Sequence, residues 1–509
     1  MGIPSYFNFI LRNHSKIIRN KNQIKCDFLF VDANSLIYDT INEFNVQVPN
    51  DNKIIYQNVY ENIKKLINKI RPVNRSYICF DGIPPCAKMN QQRQRRFKSS
   101  LTNKILHTTS DENGWNRNQI TPGTVFMNSL DDFLKIKFRK DPKVSFSPSS
   151  EADEGEHKIS NIITSNHSFK NHNLVIYGLD ADLFMLGLLL VQKNYNIFLY
   201  KETNHFSYIN SIIEKESYYF DIVLFSHELS NKLGVEKNQA ICDYCLMAFL
   251  CGNDFLPHLH SINIRNNGIS YIIDNYVKMN GNKYPLIDIK NGKIKWNNFS
   301  HFITILSKNE EENIRSNLKW KLNQKKKKHP LNMRDKLDLL PCFDTEKEDY
   351  LNENIFNFRD FVFDNIPVKN ICCNYIEMIE WTWHYYYNNS VINNSKYYFY
   401  GKAPLLKDVL SFIPLFDNDT FLTESKQDDI HEITLLLYVL PYEDHGQIIP
   451  IEIYNKIKKN IYSEMPLLKE TNCNIDYLLC KYFWESHLEL VHIDIFKLNK
   501  LVVNEINNK

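Results

Sequence analysis

The chain has 509 residues, 43% of them hydrophobic, and its 61 basic and 59 acidic side chains give a net charge of +2. This length can bury a large core, in two domains or one large composite, and no apolar run is long enough to cross a membrane. The balanced charge excludes nucleic-acid binding through bulk charge, so any such binding must rest on local basic patches.

Short apolar runs, which we predict to be buried strands, lead into aspartates at three places. They are residues 28–31 before Asp32, residues 77–80 before Asp81, and residues 174–179 before Asp180 and Asp182. Ligands of an open parallel sheet sit at the carboxyl ends of its strands, and an extended backbone would point Asp180 and Asp182 to the same side. One such aspartate is usually only a strand end or a helix cap. Three together predict a site for a hard divalent cation such as Mg²⁺ or Mn²⁺.

A basic segment, residues 88–98, follows the strand that ends at Asp81. It holds five cations and no acid in eleven residues. Such a charge run is usually a solvated helix face, but this one comes within a few residues of the predicted acidic edge. Arginine binds phosphate through two hydrogen bonds at once, and amides add neutral donors. We therefore interpret the segment as a phosphate-binding surface beside the acids, as a nuclease or a phosphatase needs.

Two further acidic positions belong to the same set. Glu154 and Glu156 precede an apolar stretch, where acids also favour the N-terminus of a helix, and Asp254 follows the apolar residues 245–251, where it could equally be a cap. Seven carboxylates are more than one Mg²⁺ requires. They suit two metal ions about 4 Å apart that hold the attacking and leaving oxygens of a phosphoryl transfer.

The order of segments indicates the domain organisation. Residues 1–260 alternate strand-like and helix-like stretches, which indicates an α/β layer. Residues 295–323 and 346–509 look largely helical, and the lysine run at 325–328 is typical of a solvated loop or spacer.

Eleven cysteines without disulfide-like spacing favour a reducing compartment. We expect the cytoplasm, with the nucleus or a virus particle as alternatives. Cys242 and Cys245 form a CxxC pair that opens a helix-like apolar segment, with no second pair nearby. We predict a buried structural pair there rather than a zinc or redox site.

Taken together, these motifs resemble the XRN family of 5′→3′ exoribonucleases. The likeness is dense over residues 1–260 and sparse but collinear from 370 to 496. The stretches that carry it are 1–7, 81–82, 87–93, 120–124, 154–159, 177–183, 252–259, 381–387, 484–485 and 493–494. So many motifs in one order and spacing are not explained by chance.

The resemblance implies a role for each candidate residue. Seven acids would bind two Mg²⁺ ions, or Mn²⁺, and they are Asp32, Asp81, Glu154, Glu156, Asp180, Asp182 and Asp254. Part of the basic segment would hold a 5′-monophosphate, namely Lys88, Gln92, Arg95 and Arg96. Trp484 would stack on the terminal base. Tyr38 stands where the family usually has a histidine that also stacks, and a tyrosine can still do so.

The fold that we expect is an α/β parallel-sheet nuclease core, like that of PIN domains and flap nucleases, with a largely helical C-terminal domain packed on it. The expected domains are a nuclease domain at 1–322, a spacer at 323–345 and a helical part at 346–509.

The expected activity is Mg²⁺-dependent hydrolysis of single-stranded, 5′-monophosphorylated RNA to mononucleotides by a monomer without a membrane partner. The alternatives are a flap-type DNA nuclease and an inactive relative that binds RNA or acts as a scaffold. The presence of all seven acids argues against the inactive relative.

Overall fold

The structure is a computed structural model of the chain. The residues that it describes are 3, 5–20, 24–44, 48–49, 51–106, 115–202, 217–323, 332–341, 362–363, 366–389, 393–423 and 429–507. The lysine run that the sequence predicts to be a spacer, at 325–328, lies outside the described residues.

Two of the predicted runs form strands that end at or just before their aspartates, and the third ends earlier. The strands, in chain order, are β1 (Ile18–Arg19), β2 (Phe28–Asp32), β3 (Arg75–Cys79), β4 (Val144–Ser147), β5 (Asn173–Tyr177), β6 (Asn196–Glu202), β7 (Ser217–Asp221), β8 (Ile287–Asp288), β9 (Lys293–Ile294), β10 (Asn474–Asp476) and β11 (His487–Glu489). Asp32 is the last residue of β2, and β3 ends two residues before Asp81.

Helices make up most of the remaining described chain. They are α1 (Tyr6–Asn13), α2 (Asn34–Glu43), α3 (Asn52–Ile70), α4 (Cys86–Ile105), α5 (Val125–Phe138), α6 (Gly155–Ser165), α7 (Leu183–Gln192), α8 (Ile222–Leu233), α9 (Lys237–Phe249), α10 (Gly268–Met279), α11 (Trp296–Ser307), α12 (Glu310–Asn323), α13 (Met333–Asp338), α14 (Val368–Asn388), α15 (Leu406–Val409), α16 (Glu432–Val439), α17 (Tyr442–Ile448), α18 (Ile451–Glu464) and α19 (Ile495–Asn507). In α3, for example, buried apolar residues recur every three or four positions and face the core.

Contacts divide the chain into two units, each assembled from three stretches. The first unit consists of Met1–Phe28, Ser160–Lys326 and Asp344–Lys426, and the second of Leu29–Ile159, Lys327–Phe343 and Gln427–Lys509. The domain boundaries at 322 and 345 stay predictions.

The first unit contains strands in the order β1-β7-β6-β5. β5 and β6 run parallel, whereas β7 pairs antiparallel with both β6 and β1. The helix between β5 and β6 is α7, whose residues from Leu183 to Val191 are all buried. An apolar helix of this kind fits only inside a core.

The second unit contains strands in the order β2-β3-β4, of which β3 and β4 are parallel. Its apolar cluster joins the start of α4 to three later helices. The cluster includes Met89 of α4, Leu436 of α16, Ile457 of α18 and Val502 of α19. Residues 86–89 and the C-terminal helices therefore share one core, although more than 300 positions of sequence separate them.

These features confirm the α/β class, the parallel strand pairs and the largely helical C-terminal region. Cys242 and Cys245 are both buried, as predicted. Within the described part of the chain, no helix combines the length and the apolar character needed to cross a membrane.

Candidate active site

Asp81 is held in one orientation by neighbours on two other elements. The Asn34 side-chain amide of α2 donates to Asp81 Oδ2 at 2.7 Å, and the Asp81 backbone N–H donates back to Asn34 Oδ1 at 3.1 Å. The Gly155 N–H, at the start of α6, donates to Asp81 Oδ1 at 2.7 Å. With both carboxylate oxygens engaged, Asp81 keeps the rotamer that presents it to the α6 N-terminus.

Asp32 approaches the same point. A Cβ atom at Gly155 would lie 2.7 Å from Asp32 Oδ1 and 3.3 Å from Asp81 Oδ1. The strand ends of β2 and β3 thus bring their two carboxylates together against the backbone of Gly155. The structure therefore brings these two predicted acids together, and their role as metal ligands stays a prediction.

A second acidic group surrounds the first turn of α6. Glu154, Glu156 and His157 each place one potential ligand atom within 4.8 Å of the others, and all three are buried. Burial, with a contribution from the nearby Lys88, lowers the pKa of His157 to about 3, so its imidazole is neutral at physiological pH. Two carboxylates and a neutral imidazole are a donor set that fits a divalent metal ion such as Mn²⁺ or Mg²⁺.

Lys88 connects this acidic group to the basic segment. Its Nζ lies 2.6 Å from Glu154 Oε1, and the two side chains are only 10% and 7% exposed. Because an unpaired charge in such a place is costly, each of the two groups stabilises the other. Lys88 is therefore both a member of the predicted phosphate site and a direct neighbour of a predicted metal ligand.

The rest of the predicted phosphate site lies along the same helix, α4. Gln92 and Arg96 are half-buried, and Gln92 Oε1 and Arg96 Nη1 are buried atoms without a hydrogen-bond partner among the described residues. Burial lowers the pKa of Arg96 to about 10; the nearby Tyr38 opposes this shift and Arg95 adds to it. Arg95 itself is exposed. A buried guanidinium with a donor to spare is well suited to an incoming anion.

The two predicted stacking residues are aromatic rings at the surface. Tyr38 is 38% exposed and Trp484 is 45% exposed. Tyr38 lies on α2 four positions after Asn34, so it shares a helix face with the residue that holds Asp81. Trp484 lies in a short 3₁₀ turn, Phe483–Glu485. From the residues alone a tryptophan here would be placed in the core, and its exposure is what a stacking role requires.

The other three predicted metal ligands lie in the first unit. Asp182 is 3% exposed and both of its oxygens are engaged, Oδ1 by the Ile3 N–H at 3.1 Å and Oδ2 by the Tyr386 hydroxyl at 2.9 Å. Asp180 and Asp254 are half-buried in loops, after β5 and α9 respectively.

One premise about Asp180 and Asp182 is wrong. They do not lie in an extended backbone, because β5 ends at Tyr177 and Asp182 already has helical backbone angles of −65° and −24°. Lys201 stabilises the turn between β5 and α7, because its buried Nζ donates to the carbonyls of residues 178, 179 and 180. The alternation of side chains along a strand therefore does not decide where these two carboxylates point.

Two residues of this region were missed from the sequence. Asn34 orients Asp81, and the only sign of this role in the sequence is that its amide lies two residues after Asp32, the last residue of β2. His157 belongs to the acidic group, and its signal was its place directly after Glu156. The first signal is not specific, because asparagine is favoured at helix starts in general.

Half-buried acids at strand ends and buried acids at a helix start, next to a cationic helix, are features of the class of nucleases that use metal ions. The chain belongs to the XRN family. The model described as "XRN 5'-3' exonuclease N-terminus" matches residues 1–201, and that described as "Xrn1 helical domain" matches residues 234–354.

Curated relatives are named as 5'-3' exoribonucleases. The chain is 30% identical over 353 residues to the "5'-3' exoribonuclease 2" of Kluyveromyces lactis, a match that covers 54% of this chain and 36% of that protein. It is 26% identical over 503 residues to the "5'-3' exoribonuclease 1" of Homo sapiens, covering 80% of this chain and 29% of that protein. The chain thus spans about a third of the length of the curated relatives that it matches.

A solved structure is also similar in part. "The catalytic core of Rad2 in complex with DNA substrate" covers 81% of this chain and 94% of that chain, at 15% identity and a TM-score of 0.35. A likeness of this size supports no argument about activity.

Proposed function

We propose that this chain is a metal-dependent 5′→3′ exoribonuclease that removes mononucleotides from single-stranded RNA bearing a 5′-monophosphate. The observation that carries the proposal is the 2.6 Å contact between Lys88 and Glu154. It joins the helix that offers donors for a phosphate to the acids that offer ligands for a metal. An enzyme that recognises a terminal phosphate and cuts nearby needs these two groups side by side.

The acids of the second unit would hold the metal, with Glu154, Glu156 and His157 as one ligand group and Asp32 and Asp81 as another. A divalent ion bound there, Mg²⁺ or Mn²⁺, would supply an activated water and stabilise the leaving 3′ oxygen. Asn34 and Gly155 keep Asp81 in place for this purpose. The assignment of Asp180, Asp182 and Asp254 as ligands of the same centre rests on the family resemblance and stays a prediction.

Arg96 and Gln92, with Lys88 and Arg95, would select the 5′ end. A terminal monophosphate is a dianion that satisfies the free donor of Arg96 and relieves the cost of its burial. A 5′-hydroxyl leaves that donor unpaired. A triphosphate or a cap is bulkier than the terminal monophosphate for which these four residues would offer donors. Tyr38 and Trp484 would stack on the first base without reading its sequence, which suits an enzyme that acts as a monomer on any single strand.

The test compares rates on 5′-monophosphate and 5′-hydroxyl RNA of one sequence, and on the matching DNA, with Mg²⁺ and with EDTA. We expect release of mononucleotides only with Mg²⁺ and a preference for the 5′-monophosphate of well over tenfold, because charge-assisted contacts contribute roughly 1.5–3 kcal/mol each. Arg95→Ala with Arg96→Ala should remove most of this preference.

The matched control is Lys104→Ala, because Lys104 is an exposed cation on the same helix that pairs with Glu443. It should retain the preference. Equal wild-type rates on the two RNAs would contradict end selection, and a preference for DNA would favour a flap-type nuclease instead.

A further inference from the structure

Lys98 lies on α4, beyond the phosphate-binding residues, and its ammonium group is directed at a single turn of the C-terminal chain. Its Nζ lies 2.9 Å from the carbonyl oxygen of Phe483, 3.0 Å from that of Trp484 and 2.5 Å from that of Ser486. The same ammonium sits 5.2 Å from the ring centre of Phe483. A lysine ammonium has three donors, so it can donate to all three carbonyls at once.

The turn that Lys98 holds displays one aromatic ring outward. Phe483 is 5% exposed and Ser486 is 3% exposed, whereas Trp484 between them is 45% exposed. Two neighbouring residues of α4 extend the attachment, since Gln94 Nε2 donates to the Leu488 carbonyl at 3.0 Å and Arg93 Nη1 donates to the Val491 carbonyl at 2.8 Å. The backbone beneath the Trp484 ring is thereby fixed to the helix.

The same helix presents its phosphate-binding residues on another side. Gln92 and Arg96 are one turn apart, and so are Gln94 and Lys98. With 3.6 residues per turn, positions two apart are about 200° apart around the axis. The pair Gln92 and Arg96 therefore lies nearly opposite the pair Gln94 and Lys98. One rigid helix determines how far the Trp484 turn lies from the residues that we assign to the 5′-phosphate.

We infer that Lys98 is a positioning residue that sets the place of the Trp484 ring relative to the phosphate-binding face of α4. This inference rests on the proposed function only for what the ring does, namely stacking on the first base. Its structural part stands on the three carbonyl contacts. Lys98 itself does not contact substrate in this scheme.

The first experiment measures the solvent exposure of the Trp484 ring in the absence of RNA. Acrylamide quenching of tryptophan fluorescence is measured in the wild type and in Lys98→Met, and again for both in a Trp484→Ala background, so that the difference isolates Trp484. We expect Lys98→Met to change the quenching and the emission maximum of the Trp484 component and to leave the Trp484→Ala background unchanged. Unaltered Trp484 fluorescence in Lys98→Met overturns the inference.

The second experiment is a double-mutant cycle for binding of 5′-monophosphate RNA in EDTA. Trp484→Ala should weaken binding by roughly five- to 150-fold, the range expected for base–aromatic stacking. Lys98→Met should weaken RNA binding by much of the same factor. The double variant should bind RNA no more weakly than Trp484→Ala alone. Additive losses overturn the inference, because Lys98 would then act independently of Trp484.

Two further variants serve as controls. Lys98→Arg keeps the charge and several donors and should restore most of the binding, which keeps the test usable if Lys98→Met folds poorly. Lys104→Met makes the same chemical change on an exposed position of α4 and should match the wild type in both experiments. If Lys98→Met moves the ring while Trp484→Ala does not weaken RNA binding, Lys98 remains a positioning residue and the proposed stacking role is the part that fails.

Discussion

Asn34 and Asp81 hold each other through a reciprocal pair of hydrogen bonds, with the Asn34 amide donating at 2.7 Å and the Asp81 backbone donating in return at 3.1 Å. The pair ties the first turn of α2 to Asp81, two residues beyond the end of β3. An aspartate side chain is otherwise free to turn about two bonds. Here the amide leaves it a single orientation, so part of the geometry of the acids depends on a residue that is not an acid.

Replacing Asn34 by Ala should lower turnover of 5′-monophosphate RNA roughly tenfold or more, because losing a partner of a partly buried charged group costs about 1–3 kcal/mol. KM should change little, since Asn34 does not reach the basic helix. The control is Ser35→Ala, whose hydroxyl donates to the Asp32 carbonyl at 3.3 Å in the same turn. Wild-type turnover in Asn34→Ala would show that Asp81 needs no such support.

Gly155→Ala should lower the rate of RNA hydrolysis far more than the addition of one methyl group ordinarily does. The added Cβ would lie 2.7 Å from Asp32 Oδ1, so either the carboxylate or the start of α6 must move. A displacement of about 1 Å at such a site costs on the order of a hundredfold in rate, and Mn²⁺ binding measured by calorimetry should weaken as well.

The matched control for that substitution is Gly187→Ala in α7, where the nearest atoms to a new Cβ lie at 3.5 Å, an ordinary contact distance. It should bind Mn²⁺ and fold like the wild type. If the two alanine variants behave alike, the crowding at Gly155 has no functional consequence.

Asp182 should matter more for folding than its half-buried neighbour Asp180. Asp182→Ala removes the acceptor for the Ile3 N–H and the Tyr386 hydroxyl, and hydrogen bonds to a charged group contribute roughly 1.5–3 kcal/mol each. Urea titrations should therefore show a free energy of unfolding lower by about 3 kcal/mol or more. Asp180→Ala should be less destabilised. A test of metal binding should use Asp180, and equal stability of the two variants would speak against this structural role for Asp182.

His445 should make the protein sensitive to acid. Its side chain is fully buried, Nδ1 lies 2.7 Å from the Tyr462 hydroxyl and Nε2 lies 3.0 Å from the Leu440 carbonyl. Burial lowers its pKa to about 4. Below about pH 6.5 the imidazole becomes protonated in the unfolded chain but stays neutral in the folded chain. The free energy of unfolding therefore falls as the pH is lowered from neutral towards 4, by up to about 3 kcal/mol.

The check is the pH dependence of urea unfolding between about pH 4 and 7. His445→Asn should be less stable at neutral pH but should lose less stability on acidification than the wild type. His301→Asn, at an exposed histidine, should keep the wild-type slope. An unchanged slope in His445→Asn would mean that this imidazole does not resist protonation.

Local pattern was enough to locate the first acids. The run before Asp32 and the run before Asp81 are short, apolar and rich in β-branched or aromatic residues, and such runs are typical of buried strands. The run before Asp180 shows the limit. Its last residues look strand-like, but the chain leaves the strand at Tyr177 and turns, since a buried lysine from the next strand captures the carbonyls that would otherwise continue the ladder.

By itself the sequence determined the α/β class, the strands that deliver Asp32 and Asp81, and the basic segment that carries Lys88, Gln92, Arg95 and Arg96. Hydrophobic periodicity and charge spacing are local properties, so they can be read along the chain. Only the tertiary structure decided that Lys88 pairs with Glu154, that Asn34 orients Asp81, and that Lys98 fixes the turn of Trp484, 386 positions away. Contacts between distant segments depend on how whole elements pack, and a linear pattern carries no record of that packing.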